Sequence, residues 1–251
     1  MLSFINIASG SKGNATLIYT EDTLLLLDMG VPKKRLFEAL KKIGRKYEDI
    51  QGVLITHPHS DHICCLDRLH DQFPVFAGLG VIKDGFHAVV FPGVAFDIGS
   101  LLIVPIEASH DSPSPLGYVF CKGTNRIVYL TDTGVMKDDV LPYISNSEYY
   151  IIESNHDEGL LLHSGRPKAL IDRIMSNKGH LSNEQSALAM TLAVGPRTKK
   201  IYLAHLSEEC NSPELALETY RSVFSKQHID FNVKDIVVLS QYEMTLGGDS
   251  K

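Results

Sequence analysis

Three features that would narrow the function at once are missing from this 251-residue sequence: a long apolar run, an excess of positive charge and a cysteine framework. The apolar stretch from Leu24 to Leu27 is far too short to span a bilayer. The formal net charge is −6, with 24 lysines and arginines against 30 aspartates and glutamates. That balance argues against a protein held on nucleic acid by its overall charge, although it allows a nuclease with a local basic patch.

The four cysteines have neither a paired spacing nor the spacing of a zinc ribbon. Cys64 and Cys65 are adjacent, and we do not expect them to bond to each other. The first six residues carry no basic segment and no long apolar core, so we expect no signal peptide. Cysteines that stay reduced, in a chain without a signal peptide, are typical of a cytoplasmic protein. The sequence therefore predicts a cytoplasmic location.

Hydrophobic residues make up 44% of the chain, which suffices for one large domain with a full core or for two small ones. Predicted strands at residues 4–7, 15–19 and 23–27 open the first of two halves in which strands and helices alternate. This alternation predicts an α/β protein with two packed sheets and helices outside, a four-layer αβ/βα sandwich. We expect a single domain over residues 1–251, with a frayed tail at about residues 247–251.

Three histidines and an aspartate fall within six positions, directly after an apolar stretch at residues 52–55. Imidazole and carboxylate are both ligands of first-row divalent metals. His57 and His59 are one residue apart and lean the same way in extended backbone, whereas the adjacent Asp61 and His62 diverge and can address a second ion. The alternative is a polar surface loop that happens to be rich in histidine. Clustered histidine and aspartate are costly without partners, which favours a metal site.

Polar residues with metal-binding or acid–base chemistry also follow four later predicted strands. They are His110, Asp132, Glu153 and His205. A carboxylate at a strand end can bridge two cations, as a dinuclear site requires. Taken alone, His110 would be unremarkable, and Asp132 would be a turn residue before Gly134. They become candidates for a metal site because the histidine cluster at residues 57–62 already suggests one.

Another histidine lies just before a predicted helix in the second half of the chain. Ser182 begins a capping-box pattern that opens an amphipathic helix through Leu188 and Leu192. His180 is therefore just outside a helix N-terminus, where the local field disfavours an added positive charge. A useful proton donor at this place needs a carboxylate beside it, and Glu153 is the candidate.

The most basic part of the chain is residues 32–46, most of which we predict to form a helix. Pro32 suits the first helical turn, and Leu36 and Leu40 fall at helical spacing, so they should face the core. The lysines and arginines allow two interpretations. One is a solvated helix face, and the other is a contact with a phosphate backbone that offsets the negative net charge locally.

Several motifs resemble those of a known family. His-x-His-x-Asp-His after an apolar strand resembles the signature of the metallo-β-lactamase superfamily, whose fold carries many chemistries. Within it, Ser-Gly-Ser-x-Gly-Asn at residues 9–14, Glu-Ser-Asn-His-Asp at 153–157 and the stretch 203–211 are similar to the YycJ family, also called WalJ or VicX. The resemblance covers nearly the whole chain. The helical insert of β-CASP nucleases is absent, since the chain is too short to hold it.

The resemblance implies a metallo-β-lactamase-like fold with a dinuclear metal site. It assigns His57, His59 and His110 to one ion and Asp61, His62 and His205 to the other, with Asp132 as the bridge. Nitrogen and oxygen ligands without a thiolate suit zinc and would also accept manganese or iron. In ribonuclease Z relatives a histidine paired with a carboxylate handles the leaving-group proton, and the resemblance gives this role to His180 and Glu153. It makes Asp61 essential for turnover as well as a ligand.

The resemblance further implies a phosphodiesterase that acts on nucleic acid: an exonuclease that digests DNA from the 5′ end with a metal-bridging hydroxide. The alternative enzyme is another hydrolase of the same fold that acts on RNA or on a small cyclic phosphodiester. An alternative of a different class is a metal-bound regulator that acts through a protein partner. A full ligand set favours catalysis, because a scaffold has no need of an open dinuclear site.

Overall fold

The chain divides into two units in the computed structural model, which describes residues 1–66, 72–82 and 87–249. Unit 1 comprises Met1–Glu107, Ser112–Arg126 and Leu239–Lys251, and unit 2 comprises Ala108–Asp111 and Ile127–Val238. The single domain over residues 1–251 stays a prediction. None of the helices in the described ranges is long and apolar enough to cross a membrane.

Unit 1 contains a seven-stranded sheet that carries the histidine motif. Its strands are β1 (Ser3–Ala8), β2 (Ala15–Tyr19), β3 (Leu24–Leu27), β4 (Gly52–Leu54), β5 (Val75–Ala77), β6 (Ala88–Val89) and β14 (Thr245–Gly248). They are ordered β14-β1-β2-β3-β4-β5-β6, antiparallel from β14 to β3 and parallel from β3 to β6. Leu27 lies beside Leu54, so the residues that follow β3 and β4 meet at one edge of the sheet.

The described part of unit 1 also contains three antiparallel strands and two α-helices. These are β7 (Phe96–Ile98), β8 (Leu101–Glu107), β9 (Leu116–Lys122), α1 (Lys33–Lys42) and α2 (Ser60–Ile63). Leu36 and Leu40 of α1 are buried as predicted, in one core with apolar residues of the seven-stranded sheet. Pro32 precedes the first turn of α1 instead of forming it, because its ψ of 142° is extended.

Unit 2 is built around four parallel neighbouring strands. These are β10 (Asn125–Leu130, of which 127–130 belong to this unit), β11 (Tyr149–Glu153), β12 (Lys200–Ala204) and β13 (Ile236–Val238). The helices are α3 (Leu141–Ile144), α4 (Glu158–Leu162), α5 (Lys168–Ile174), α6 (Asn183–Ala193) and α7 (Pro213–Lys226). Leu130 lies beside Ile152, and Glu153 lies beside Ala204. The carboxyl ends of β10, β11 and β12 therefore meet at one edge.

The described strands form two seven-stranded sheets, and helices alternate with strands along much of the chain. Both sheets are mixed, with parallel and antiparallel neighbours. The prediction of an α/β protein with two sheets is therefore confirmed.

The prediction of a frayed tail at residues 247–251 is wrong for its first part. Gly247 and Gly248 belong to β14 and pair with β1. The backbone N–H of Asp249 donates to the carbonyl of Leu2 at 2.9 Å, and the Asp249 carboxylate accepts from the Leu2 N–H at 2.9 Å. The pairing with β14 satisfies backbone groups of β1 that an edge strand would leave open, and the Asp249 bonds satisfy those of Leu2 just before β1. The last two residues lie outside the described ones.

Helix α6 begins as predicted but buries a different face. Ser182 forms the capping box with Gln185, whose N–H donates to the serine hydroxyl at 3.2 Å. Leu188 and Leu192, predicted to lie on its apolar stripe, are 40% and 66% exposed. The buried stripe consists of smaller or more flexible residues, among them Ala187, Met190 and Ala193. Both stripes have helical spacing, so the spacing alone does not decide which one is buried.

Candidate metal centre

The histidine motif forms a tight turn in unit 1. β4 ends at Leu54, and the chain passes through His57 and His59 into the short helix α2. His57 and His62 are buried. Between ring centroids, His57 lies 4.7 Å from His59 and 4.1 Å from His62. The structure therefore brings together the three histidines that were predicted as ligands in this unit.

Asp61 and His62 lie closer together than predicted. Their adjacent positions suggested side chains that diverge, but Oδ2 of Asp61 is 3.5 Å from Nε2 of His62. The reason is that both residues belong to α2 and not to extended backbone. Two donor atoms at this separation can bind the same ion.

A buried carboxylate outside the predicted set supports His62. Asp28 follows β3, and its Oδ2 lies 2.8 Å from Nδ1 of His62. Its Oδ1 accepts from the backbone N–H of Thr56 at 2.9 Å. Burial raises the pKa of Asp28 against the opposing effects of His62 and Thr56. A carboxylate on Nδ1 fixes the orientation of the ring and leaves Nε2 as the ligand atom.

The loop at residues 9–14 also contacts the motif. The side-chain Nδ2 of the buried Asn14 lies 3.1 Å from Oδ2 of Asp61 and 3.0 Å from Nε2 of His62. The backbone N–H of Asn14 donates to the Asp61 carbonyl at 2.7 Å, and Oδ1 accepts from the Gly10 N–H at 2.9 Å. Asn14 therefore holds the loop against α2 and orients Asp61.

Four predicted site residues come together at one sheet edge in unit 2. They are Asp132, Glu153, His180 and His205. Each of them offers one ligand atom, and these four atoms lie within 4.8 Å of one another. Asp132 and His205 have φ values of 54° and 57°, which turn the chain sharply after β10 and β12. Adjacent parallel strands therefore deliver Asp132, Glu153 and His205 to this edge.

Glu153 is the anionic centre of this group. Its Oε1 lies 2.7 Å from Nδ1 of His180 and 3.0 Å from Nδ1 of His205, and its Oε2 accepts from the Thr133 N–H at 2.8 Å. Burial opposes ionisation, but the two histidines outweigh it and lower the pKa of Glu153 to about 2. Glu153 is therefore an ionised carboxylate at neutral pH, and the structure contains the predicted contact between His180 and Glu153.

His110 is held by the backbone just before α6. Its Nδ1 lies 3.1 Å from the carbonyl oxygen of Gly179, and its ring centroid is 5.1 Å from that of His180. Glycine is needed at position 179, because a Cβ there would lie 2.1 Å from the carbonyl oxygen of Ile174. This turn therefore fixes the orientation of the His110 ring.

The predicted ligands share a pattern of support that suits a divalent metal. Nδ1 lies 2.8 to 3.1 Å from a protein oxygen in His57, His62, His110 and His205. Metal-binding histidines commonly donate their second ring N–H in this way, which leaves Nε2 for the metal. Imidazole nitrogens and carboxylate oxygens without a thiolate fit zinc, manganese or iron. The donor set of each unit therefore fits a divalent metal.

Two arginines of the basic segment have structural partners that neither interpretation anticipated. Both donate to backbone carbonyl oxygens, Arg35 to those of Ile7, Gln241 and Tyr242, and Arg45 to those of Thr20 and Glu21. Lys41 and Lys42 are exposed at the end of α1. A phosphate contact by these lysines stays a prediction.

Known proteins resemble this chain over most of its length. Residues 26–206 match the family model described as the beta-lactamase superfamily domain. Exodeoxyribonuclease WalJ of Streptococcus pneumoniae is 36% identical over 247 residues, which cover 91% of this chain and 92% of WalJ. Exodeoxyribonuclease YycJ of Bacillus anthracis is 33% identical over 238 residues, which cover 90% of each chain.

Solved structures share the fold. The metallo-beta-lactamase fold protein YhfI from Bacillus subtilis has a TM-score of 0.71 at 16% identity, covering 98% of this chain and all of its own. Human tRNase Z, short form, has a TM-score of 0.64 at 16% identity, covering 97% of this chain and 98% of its own. At these identities the likeness concerns the fold alone. It confirms the predicted α/β fold of metallo-β-lactamase type.

Proposed function

The chain belongs to the exodeoxyribonuclease family of WalJ and YycJ, within the β-lactamase superfamily, and on that premise we propose that it is a metal-dependent phosphodiesterase that digests DNA from the 5′ end. The observation that carries the proposal is the oxygen held against Nδ1 in four of the predicted ligand histidines. Such support is what a metal-binding imidazole needs and a merely polar surface loop does not. We place the enzyme in the cytoplasm, where its thiols stay reduced.

Two divalent ions, zinc or manganese with iron as a further option, are the proposed cofactors. His57, His59 and His110 would hold one ion, and Asp61, His62 and His205 the other, with Asp132 as the bridge. The support comes from the donor chemistry of each unit and from the buried carboxylates behind the histidines. When bound, the ions supply Lewis acidity and lower the pKa of water from about 15.7 towards 7.

His180 is the proposed proton donor to the leaving oxygen. Its Nδ1 is 2.7 Å from the ionised Glu153, so Nδ1–H is committed to that carboxylate and Nε2 is the atom that exchanges a proton. The His180 side chain keeps 17% of its surface exposed, so a substrate can reach it. Glu153 in turn is fixed by the backbone N–H groups of Thr133 and Leu181, at 2.8 and 3.3 Å from Oε2. A fixed carboxylate holds the imidazole in one orientation.

Digestion of linear DNA labelled at either the 5′ or the 3′ end tests the proposal. The reaction contains manganese or zinc, and an Asp61→Ala variant runs beside it. We expect early release of the 5′ label by the wild-type chain and no release by the variant, which lacks a ligand oxygen.

The other outcomes each overturn a part of the proposal. Early release of the 3′ label would reverse the polarity. Failure to cut DNA with either metal would reject the DNA exonuclease. The same assay on labelled RNA and on a small cyclic phosphodiester would then decide between another phosphodiesterase and a regulator.

A further inference from the structure

A lysine and a tyrosine form an exposed pair on unit 1, beside the turn that carries Asp61. Lys12 lies in the loop at residues 9–14, and Tyr242 lies just before β14. Nζ of Lys12 is 2.8 Å from the Tyr242 hydroxyl and 5.4 Å from the ring centroid, so the ammonium lies towards the hydroxyl end of the ring. Lys12 is exposed, and Tyr242 is 62% exposed. We call these two residues the Lys12–Tyr242 pair.

Hydrogen bonds to the Gln241 side chain and between backbone groups join the two segments that carry the pair. The N–H of Lys12 donates to Oε1 of Gln241 at 2.9 Å, and Nε2 of Gln241 donates to the carbonyl of Gly13 at 2.9 Å. The N–H of Ser9 donates to the carbonyl of Ser240 at 3.1 Å. Three bonds therefore join the loop to the segment that carries Tyr242, and the pair is a built feature of the surface.

The same loop is packed tightly against the histidine turn. A Cβ at Gly13 would lie 2.2 Å from the carbonyl oxygen of Gly30, and a Cβ at Gly30 would lie 1.6 Å from that of Asp61. Asn14 adds hydrogen bonds to the backbone and the side chain of Asp61. Since Lys12 is two residues from Asn14, their Cα atoms are at most about 7 Å apart. The loop therefore holds Lys12 close to the turn that carries Asp61.

A second positive charge, on Arg35, lies close to the pair. The guanidinium of Arg35 donates to the backbone carbonyls of Ile7, Gln241 and Tyr242. These acceptors are neutral oxygens, so they position the guanidinium without cancelling its charge. The exposed ring of Tyr242 therefore has two cations nearby. Lys12 lies at its hydroxyl end, and Arg35 lies at its backbone carbonyl.

We propose that the Lys12–Tyr242 pair binds the nucleotide next to the one that is cleaved, with the ammonium on its phosphate and the tyrosine ring stacked on its base. The proposal rests on the proposed function, because it needs the cut to occur at the histidine turn. An exposed aromatic ring with an adjacent lysine is the combination that binds single-stranded nucleic acid without reading its sequence. Stacking requires an unpaired base, so the substrate class is a single-stranded or frayed end.

Binding of a labelled single-stranded oligonucleotide with phosphorothioate linkages tests the pair without turnover, on the metal-loaded protein. We expect Tyr242→Ala to weaken binding about 5- to 150-fold, the range for loss of one stacked base, and Tyr242→Phe to bind within about 2-fold of wild type. Lys12→Gln should reduce the slope of log K against log salt by about 0.7, the value for one phosphate on a single strand.

Tyr143→Ala is the matched control, since Tyr143 is a 41% exposed tyrosine of unit 2. It should bind as the wild type does. Equal binding by wild type, Tyr242→Ala and Lys12→Gln would overturn the proposal, and so would an equal loss in Tyr143→Ala. Thermal unfolding of each variant separates a lost contact from a lost fold.

The activity of the wild-type chain separates failure of the pair from failure of the proposed function. Cleavage of DNA by the wild type together with wild-type binding by both variants rejects the pair alone. Weakened binding by the variants without any cleavage of DNA by the wild type rejects the exonuclease and leaves the pair as a nucleic-acid site. A third readout is hydrolysis of bis(p-nitrophenyl) phosphate, which has no neighbouring nucleotide. Tyr242→Ala should lose at least about 5-fold more activity on the oligonucleotide than on this small ester.

Discussion

The two groups of candidate ligands are built in opposite ways. In unit 1 the four donors come from one turn, residues 57–62, whereas in unit 2 they come from separate turns at His110, Asp132 and His205. Contiguous donors need only a local turn to meet, but distant donors need neighbouring strands in the correct register. The first group can therefore be recognised in the sequence as a motif. The donors of the second group are brought together only by the parallel strands β10, β11 and β12.

Each group also rests on a fully buried carboxylate, and the net pKa shifts of the two carboxylates have opposite signs. Burial raises the pKa of Asp28, although His62 and Thr56 oppose it. Burial also disfavours the charge on Glu153, yet His180 and His205 lower its pKa to about 2. Asp28 contacts one imidazole and Glu153 contacts two. The hydrogen bond from a second imidazole adds to the effect of His180 in favouring the ionised form of Glu153.

Removing one candidate carboxylate ligand from each unit gives the largest expected effect. Asp61→Ala in unit 1 and Asp132→Ala in unit 2 should each reduce turnover of DNA by about 10³-fold or more, because a catalytic metal contributes several kcal/mol. Initial rates of label release measure this. Asp138→Ala, at an exposed aspartate of unit 2, is the control. Wild-type turnover in either ligand variant would show that its region is not part of the metal centre.

Replacing the proposed acid tests unit 2 without removing a ligand. His180→Ala should slow turnover by about 10²- to 10⁴-fold, the usual contribution of general acid catalysis. Metal content, measured by mass spectrometry after dialysis, should stay at the wild-type level. The exposed His163 provides a matched His163→Ala control. Loss of metal from the His180 variant would make this histidine a ligand and remove it from the role of acid.

The contact that orients His62 in unit 1 can be weakened without replacing a candidate ligand. Asp28→Asn keeps the shape of the side chain but removes the charge that faces Nδ1 of His62. Substitutions of this kind typically cost about 10- to 100-fold in metal affinity, which titration of the metal-free protein measures. Unchanged affinity in Asp28→Asn would show that the ring of His62 is held by other contacts.

The early strands and the histidine motif could be predicted from the sequence because each depends on a local pattern, whereas His110 and Asp132 became candidates only through that motif and the resemblance. The strand predicted at residues 15–19 coincides with β2, and Ser182 caps α6 as expected. The support of His62 by Asp28 was not legible, since it depends on the register of β3 beside β4. The contacts of Asn14 with Asp61 likewise join residues 47 positions apart.

Two local patterns misled the sequence prediction for physical reasons. Gly247 and Gly248 suggested a frayed end, but β1 needed a hydrogen-bonding partner along its outer edge. Leu188 and Leu192 suggested the buried stripe of α6, whereas the smaller Ala187 is on the face that packs. Both errors concern tertiary partners, which a local pattern does not contain.

The net pKa shifts of the two buried carboxylates have opposite signs. We therefore expect their contributions to stability to change in opposite directions with pH in the metal-free protein. The pKa of Glu153 is about 2 in the fold against an ordinary 4.5, so its stabilisation is present above pH 4.5 and is lost as the pH falls towards 2. The pKa of Asp28 is raised above its ordinary 3.8, so the folded state binds this proton more tightly. Its contribution to stability therefore falls as the pH rises through the raised pKa.

Urea unfolding between pH 3 and pH 7 measures these contributions. Glu153→Gln should cost on the order of 3 kcal/mol at neutral pH, and the cost should shrink as the pH falls below 4.5. Asp28→Asn should show the reverse trend, with its most favourable effect relative to wild type at the higher pH values. The same pH trend in both variants would contradict the assigned signs.

The smallest effect is expected where the basic segment is only solvated. Lys41 and Lys42 lie in the last turn of α1, where positive charge already complements the helix dipole, so no phosphate is needed to explain them. A Lys41→Ala, Lys42→Ala double variant should change the salt slope of duplex DNA binding by less than about 0.9, the value for one phosphate contact. A decrease of about twice that value would instead mean that both lysines contact the backbone, and α1 would then extend the DNA-binding surface of unit 1 beyond the Lys12–Tyr242 pair.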